Sequence, residues 1–457
     1  MERSSCDVLI IGGGISGGSL LYLLSRFTNI SSVCLIEKCD QLDALNSNAH
    51  NNSQTLHEGD IETNYSLDKA SHVKLASGLT KTYALDVAKD DSMIHRYGKM
   101  LLGVGDDEVA KVKQRCEEFK DLFPTIELLD ADGIAQLEPN VALIDGALRE
   151  DPIAAIHNPE GYAVDYGKLT DHLVSTAQAT EGKTVDVHLS TEAKHITKVD
   201  DGYEVECKGR TFHARFVVVS AGAHSLLIAQ KMGYGENYSV MPVTGSFYFA
   251  PKVLDRKVYT VQNDKLPFAA IHGDPDLTAP DKTRFGPTAL VLPVLERHNA
   301  KTAWGFMESF NFDGDVAAVL YELMKDKDIH DFVYRNLGYE LPYYGKRSFL
   351  KAAQKIVPSM KVEDLEFAKG YTGIRPQLIE KKERRLMMGA AKIDQSDGII
   401  FNMTPSPGAT SAIDNARIDM NSIAEQLGAV IDEEGFQTIF NQSAIIEHVP
   451  ATEHGHM

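Results

Sequence analysis

Gly12, Gly14 and Gly17 stand in the spacing G-x-G-x-x-G within the run Gly12-Gly13-Gly14-Ile15-Ser16-Gly17. Glycines so placed allow a tight turn, a close approach of backbone to a pyrophosphate, and a helix whose free N–H groups face the anion. Glu37 follows Gly17 by 20 residues, where a carboxylate accepts hydrogen bonds from both ribose hydroxyls and disfavours a 2′-phosphate. Two other residue types matter. His272, in Ala269-Ala270-Ile271-His272-Gly273-Asp274, sits where an apolar run meets a glycine turn, and a polar residue at such a strand end faces a cleft. A neutral imidazole there can take a proton near neutral pH. Asp274 either orients that ring or is a plain turn acid. Arg375, in Thr372-Gly373-Ile374-Arg375-Pro376-Gln377, is held extended by the proline, with space left by Gly373, as a carboxylate clamp requires. Arg284, in Thr283-Arg284-Phe285-Gly286-Pro287, is the second such guanidinium, and a surface ion pair is the plainer reading of either.

The elements that must position these groups follow from hydrophobic pattern. Residues 8–11 are an apolar, β-favouring run, Leu20, Leu23, Leu24 and Phe27 recur at helical spacing, and residues 33–36 form a second strand ending at Glu37. This β-α-β unit binds a dinucleotide, and by itself leaves NAD and FAD both open. Residues 46–66 are polar and aperiodic, either a loop gripping a heterocycle's edges or a solvated surface loop. Residues 67–127 read as mostly helical. Residues 216–220 read as a doubly buried strand returning to the first sheet and ending in Ala221-Gly222-Ala223. Residues 246–250, 289–293 and 302–306 read as strands and 317–336 as helical. Residues 398–402, the turn 404–410 and the helical pattern from Ser411 make a third strand–turn–helix.

The chain has 457 residues and a net charge of −19, so it is long enough for two or three folding units. With 43% hydrophobic and 24% charged residues it is neither disordered, collagen-like nor disulfide-knit. The acidic balance argues against a nucleic-acid partner, and electrostatic membrane docking would need a local basic patch that no run supplies. Five cysteines without a C-x-x-C pair fit a reduced, cytoplasmic compartment. Residues 8–25 are uncharged but contain five glycines and follow Glu2, Arg3 and Asp7, so they read as neither signal peptide nor anchor. His454 and His456 lack metal-ligand spacing, and no metal is expected.

With these pieces assembled, the chain resembles the FAD-dependent oxidoreductases of the amino-acid-oxidase type and, within them, the malate:quinone oxidoreductase family. The resemblance runs over nearly the whole length. It is carried by the Gly12-to-Glu37 unit, the Asn51-to-Tyr65 loop, Gly161-Tyr162-Ala163-Val164-Asp165, Ser220-Ala221-Gly222 and Ser406-Pro407-Gly408-Ala409. In the family's better-known branch the loop pairs two asparagines with a downstream His, Glu and Asn-Tyr. Asn51, Asn52, His57, Glu62, Asn64 and Tyr65 match this, whereas Ser53-Gln54-Thr55-Leu56 stand where that branch is Gly-rich.

The resemblance favours FAD over NAD. It implies an α/β fold with a Rossmann-like FAD-binding domain (1–66, 151–242 and 369–457) interwoven with an α+β substrate domain on a mixed or antiparallel sheet (67–150 and 243–368). The expected cofactor-binding residues are Gly12, Gly14, Ile15, Ser16, Gly17, Glu37, Lys38, Asn52, Ser53, Gln54, Thr55, Ala193, Ala221, Gly222, Gly408, Ala409 and Thr410, with Gly408 and Ala409 offering N–H groups to the flavin pyrimidine oxygen. The implied reaction moves a hydride from the carbinol carbon of L-malate to the flavin, giving oxaloacetate, and passes electrons to a membrane quinone. His272 or His57 would be the base, and Arg375 and Arg284 the carboxylate ligands. A cytoplasmic protein touching the membrane face transiently is expected. The relative that oxidises L-2-hydroxyglutarate shares the plan and is the alternative.

Overall fold

Val8, Leu9 and Ile10 are wholly buried, and alternate residues of their strand enter two different apolar cores, one on each face of the sheet. In the computed structural model, which describes residues 2–262, 270–341, 344–387, 391–403 and 408–440, this strand spans Glu2–Ile11 and lies at the sheet's centre. It pairs in parallel with Ser32–Ile36 on one side and Arg210–Val219 on the other. Thr184–His188 and Ile399–Met403 extend the parallel sheet outward, and an antiparallel hairpin of Ala193–Val199 and Gly202–Cys207 continues it past Arg210–Val219. Helices Ile15–Phe27, Tyr166–Gln178 and Ala412–Leu427 cover one face, and Ser225–Lys231 packs on the other. The uncharged residues 8–25 are thus the end of a strand and most of a helix, and no described helix is long and apolar enough to cross a membrane.

A second sheet of eight strands runs in the order Glu366–Phe367, Tyr248–Pro251, Lys282–Gly286, His272–Pro275, Lys257–Thr260, Lys99–Val104, Ile153–Asn158, Glu127–Leu129. Its pairs are antiparallel except for Lys257–Thr260 with Lys99–Val104, so it is mixed, as expected. A third sheet joins Leu290–Val291, Tyr238–Thr244, Arg375–Glu380 and Arg385–Leu386.

Several expectations need correction. Residues 302–306 are not a strand: Ala303–Phe310 is a helix, because Ala303, Phe306 and Phe310 share one helical face and Phe306 is buried there. Residues 99–104 are a strand inside a stretch read as helical, since a short apolar run looks alike in either state. Residues 153–158 were expected in the FAD-binding domain, yet they pair with Lys99–Val104 in the second sheet. Conversely Leu79, Tyr83 and Ala84, expected in the substrate domain, pack in the core of the first. Gly273 is not a turn but a strand residue, its Cβ position only 2.5 Å from Leu254. The run 266–269 ahead of His272, the turn 404–407 and the terminal His454 and His456 lie outside the described residues.

Candidate active site

The glycine turn has the geometry its spacing demands. Gly12 takes φ +121°, and a Cβ there would lie 2.3 Å from the Ser220 carbonyl oxygen. A Cβ on Gly17 would lie 2.0 Å from the Gly12 carbonyl, so only glycine lets the helix start sit directly on the strand end. Glu37 closes the far side: its carboxylate accepts from the Gly13 N–H at 2.7 Å and the Cys39 N–H at 2.8 Å. Ser47 accepts from the Ile15 N–H at 2.9 Å, on the first turn of the helix.

From this turn a cavity of about 780 Å³ runs between the first sheet and the loops facing it. Gly12, Gly14, Ile15, Ser16, Glu37, Lys38, Asn52, Ser53, Thr55, Ala193, Ala221, Gly222, Gly408, Ala409 and Thr410 all line it, together with His57 and Arg375. Two residues of the expected cofactor set do not. Gly17 sits behind the turn as packing, and Gln54 is wholly buried, donating to the Ala49 carbonyl at 3.0 Å and accepting from the Leu277 N–H at 3.0 Å, so that it staples the loop to the second sheet. The bare backbone at the glycine turn, the helix N-terminus and the acid at the end of the second strand suit the adenylate and pyrophosphate of a dinucleotide, and the size accommodates one.

The polar stretch 46–66 is a wall of this cavity and not a solvated loop. Asn52 donates to the Asn48 carbonyl at 2.9 Å and accepts from the Gln54 N–H at 2.8 Å. Asn46 accepts from the Ile374 N–H at 3.0 Å and donates to its carbonyl at 2.8 Å, fixing the residue next to Arg375. His57 Nδ1 lies 2.5 Å from Glu62 Oε1, which leaves Nε2, 3.4 Å from Ser53 Oγ, on the cavity side. Burial alone would push the Glu62 carboxyl up, but the hydrogen bond and charge of His57, with Lys99 behind, hold it below its ordinary value. Underneath, the wholly buried Lys99 donates to Asp60 at 2.8 Å and Glu58 at 2.9 Å, tying down the loop on both sides of Gly59. Sequence reasoning missed Lys99; a lysine opening the apolar run 99–104 was the available signal.

Five cations line the cavity. Lys38 pairs with Glu296, Lys194 with Glu192, Lys231 with Glu308 and Arg297 with Glu340, whereas Arg375 has no acidic partner among the described residues. Burial lowers its pKa, yet a guanidinium stays charged, so an unpaired positive charge faces the cavity.

His272 and Arg284 are elsewhere. Both are wholly buried in the second sheet and neither lines the cavity. With Lys257, Asp274 and Asp276 they form a closed cluster: Arg284 lies 3.0 Å from Asp276 and 3.8 Å from Asp274, and His272 Nε2 lies 3.2 Å from Asp274. Burial pushes the His272 pKa down against the pull of Asp274, and its Nδ1 donates to the Ala270 carbonyl at 3.1 Å. Asp274 is therefore a strand residue facing three cationic or ring nitrogens, not a turn acid. Tyr259, which the sequence did not single out, stands between the two groups: it stacks on His272 with centroids 4.3 Å apart, meets His57 edge-on at 6.3 Å and bonds Thr55 through its hydroxyl. All five cysteines are free. Among the described residues one trio, Cys34, Asp186 and His188, gathers potential metal-ligand atoms, but the Arg210 guanidinium 2.7 Å from His188 opposes a cation there.

A dinucleotide cradle that shares its cavity with an imidazole–carboxylate pair and a guanidinium without an acidic partner among the described residues has the make-up of one class, a cofactor-dependent oxidoreductase. The family model for FAD dependent oxidoreductases matches residues 7–413. The fold is similar to glycine oxidase of Geobacillus kaustophilus (TM-score 0.64, 17% identity, 93% of this chain and 95% of that one). It is likewise similar to L-alpha-glycerophosphate oxidase of Mycoplasma pneumoniae with FAD bound (TM-score 0.63, 18% identity, 94% and 96%). In sequence the chain is 45% identical over 446 residues to a probable malate:quinone oxidoreductase of Campylobacter jejuni, covering 96% of this chain and 99% of that protein. It is 43% identical over 435 residues to the malate:quinone oxidoreductase of Helicobacter pylori, covering 94% and 96%. The chain belongs to the malate:quinone oxidoreductase family of FAD-dependent oxidoreductases.

Proposed function

We propose that this protein oxidises L-malate to oxaloacetate with FAD as its resident carrier and delivers the two electrons to a quinone at the cytoplasmic face of a membrane. What carries the reading is identity of 43–45% over at least 94% of the chain with relatives named for that reaction. Bound FAD supplies the two-electron acceptor, so that malate and quinone are converted to oxaloacetate and quinol.

The rest of the chemistry falls to the chain's own side chains. Gly12, Gly14, Ile15, Ser16 and Glu37 hold the adenylate half, and Ala221, Gly222 and Gly408 to Thr410 line the remainder. Arg375, with its charge unspent, grips a malate carboxylate through two parallel N–H donors. His57 Nε2 takes the hydroxyl proton as the carbinol carbon is oxidised, and Glu62 fixes the ring in the Nδ1–H tautomer and stabilises the imidazolium that results. His272 and Arg284 support from behind, through Tyr259 and through Lys257, whose ammonium donates to the Ser53 carbonyl at 3.2 Å.

The test is anaerobic turnover with a soluble quinone analogue. L-Malate should reduce it briskly and 2-hydroxyglutarate should not; reduction by 2-hydroxyglutarate alone would transfer the assignment to that substrate.

A further inference from the structure

Among the described residues nineteen large apolar side chains stand exposed, and nine of them fall between Trp304 and Tyr344. A surface helix ordinarily has one apolar face, turned inward. Three successive helices here have two. Ala303–Phe310 buries Phe306 but exposes Trp304 and Met307; Gly314–Lys325 buries Val316 and Val319 but exposes Tyr321 and Met324; Lys327–Tyr339 buries Tyr339 but exposes Tyr334 and Leu337. Each outward pair is spaced i, i+3 and so forms one rib. Phe312, itself exposed, stacks on Phe310 across the first connection, and the second and third helices pack together. Trp304 is 75% exposed and is the only tryptophan in the chain.

The adjoining helix, Gly345–Ile356, carries Lys346, Arg347, Lys351 and Lys355 and no acid, an exception in a chain of net charge −19 and a correction to the expectation that no run is locally basic. It packs on Lys327–Tyr339. Arg347 and Lys351 are exposed, lie three and seven residues beyond the exposed Tyr344, and have no acidic partner among the described residues.

We propose that this face, the outward ribs of Ala303–Tyr339 with the basic edge of Gly345–Ile356, is the surface by which the protein docks on a lipid bilayer containing anionic headgroups. Tryptophan and tyrosine rings, apolar with one polar atom, settle at headgroup depth, and unpaired lysine and arginine beside them meet the anionic charge. The face also abuts the site. Glu340, between Leu337 and Leu341, accepts from Ser246 at 2.8 Å and Thr288 at 2.6 Å, while Thr372, on the cavity wall near Arg375, donates to the carbonyl of neighbouring Gly245 at 2.6 Å. The choice of a bilayer over a protein partner rests on the quinone reading above, because a quinone is met in the bilayer.

The lone tryptophan makes the test local. Full-length, flavin-loaded protein is mixed with vesicles of phosphatidylcholine alone or with phosphatidylglycerol added, and Trp304 emission, quenching by brominated lipid and co-sedimentation are followed. The expected result is a blue shift with quenching, vesicle binding reduced at least tenfold in Trp304→Ser/Tyr334→Ser/Tyr344→Ser, and binding to the anionic vesicles alone weakened in Arg347→Glu/Lys351→Glu. Co-sedimentation without any change at Trp304, wild-type affinity in the triple variant, or a lipid-free shift that tracks dimer formation would each overturn the proposal. Malate-driven reduction of the soluble quinone analogue should be unchanged in every variant. Its absence in the wild-type protein would instead strike at the quinone reading, so the two failures are distinguishable.

Discussion

At the scale of single residues, the site rests on one guanidinium and one imidazole with different duties. Arg375→Lys keeps the charge but loses the planar two-point grip, so half-saturating malate should rise about 10- to 100-fold, equivalent to the roughly 1.5–3 kcal/mol of a charged hydrogen bond, with a smaller change in limiting rate. Glu62→Gln leaves His57 in place but removes the carboxylate that orients its ring. The limiting rate should then fall about tenfold or more with little change in half-saturating malate; an unchanged limiting rate would make Glu62 a structural acid only. Arg375 and the loop that holds His57 were legible because proline, glycine and asparagine punctuation is local. The pairing of His57 with Glu62 was visible only as a pattern, and its closeness came from a fold of the loop that Asn46, Asn52 and Gln54 maintain by bonds to backbone. His272 misled, because a polar residue at a strand end can also face charges inside the sheet, and here it faces Asp274, two residues along its own strand, under the ring of Tyr259.

At the scale of elements, the loop 46–66 is as important as the nucleotide turn. Lys99→Met would leave Asp60 buried without its cation and Glu58 with Lys81 at 3.4 Å, and stranding a buried charge in this way typically costs about 3–5 kcal/mol. A lowered denaturant midpoint together with slower malate oxidation is expected, and a full-rate enzyme of normal stability would show that the loop is held by other means. At the turn, Gly17→Ala drives a methyl into the Gly12 carbonyl, so the variant should lose flavin or fail to fold, read from the yellow colour retained after purification; a stable, fully yellow variant would contradict this packing. The β-α-β unit was readable since all its signals fall within 37 residues. The second sheet was not, because its strands come from residues 99–158, 248–286 and 366–367, and pairings that distant leave no periodicity in any short window. Trp304 and Met307, outside any core, explain why residues 302–306 looked like a strand: exposed apolar residues filled the gaps in a helical pattern.

At the scale of the whole molecule, the first sheet and the Arg375–Glu380 strand of the third both line one cavity, so stability and cofactor retention should be coupled. One buried acid sets a pH dependence far from the site. Burial raises the Glu138 carboxyl from 4.5 to about 7, with Arg256 offsetting only part of it. The folded-state value lies above the unfolded one, so this group's contribution is complete below about pH 4.5 and is lost as pH rises through 7, by at most roughly 3 kcal/mol. Glu138→Gln should therefore gain on the wild-type protein in melting temperature between pH 5 and 8; parallel curves would contradict it. The central claim, that one cavity brings His57 and Arg375 to malate beside a bound flavin, is tested most directly by rapid anaerobic mixing. L-Malate should bleach the flavin of the wild-type protein completely, His57→Ala should bleach at least a hundredfold more slowly while keeping its FAD, and Arg375→Lys should need far more malate to reach its limiting rate. Bleaching of both variants at wild-type rates and concentrations would place the chemistry elsewhere.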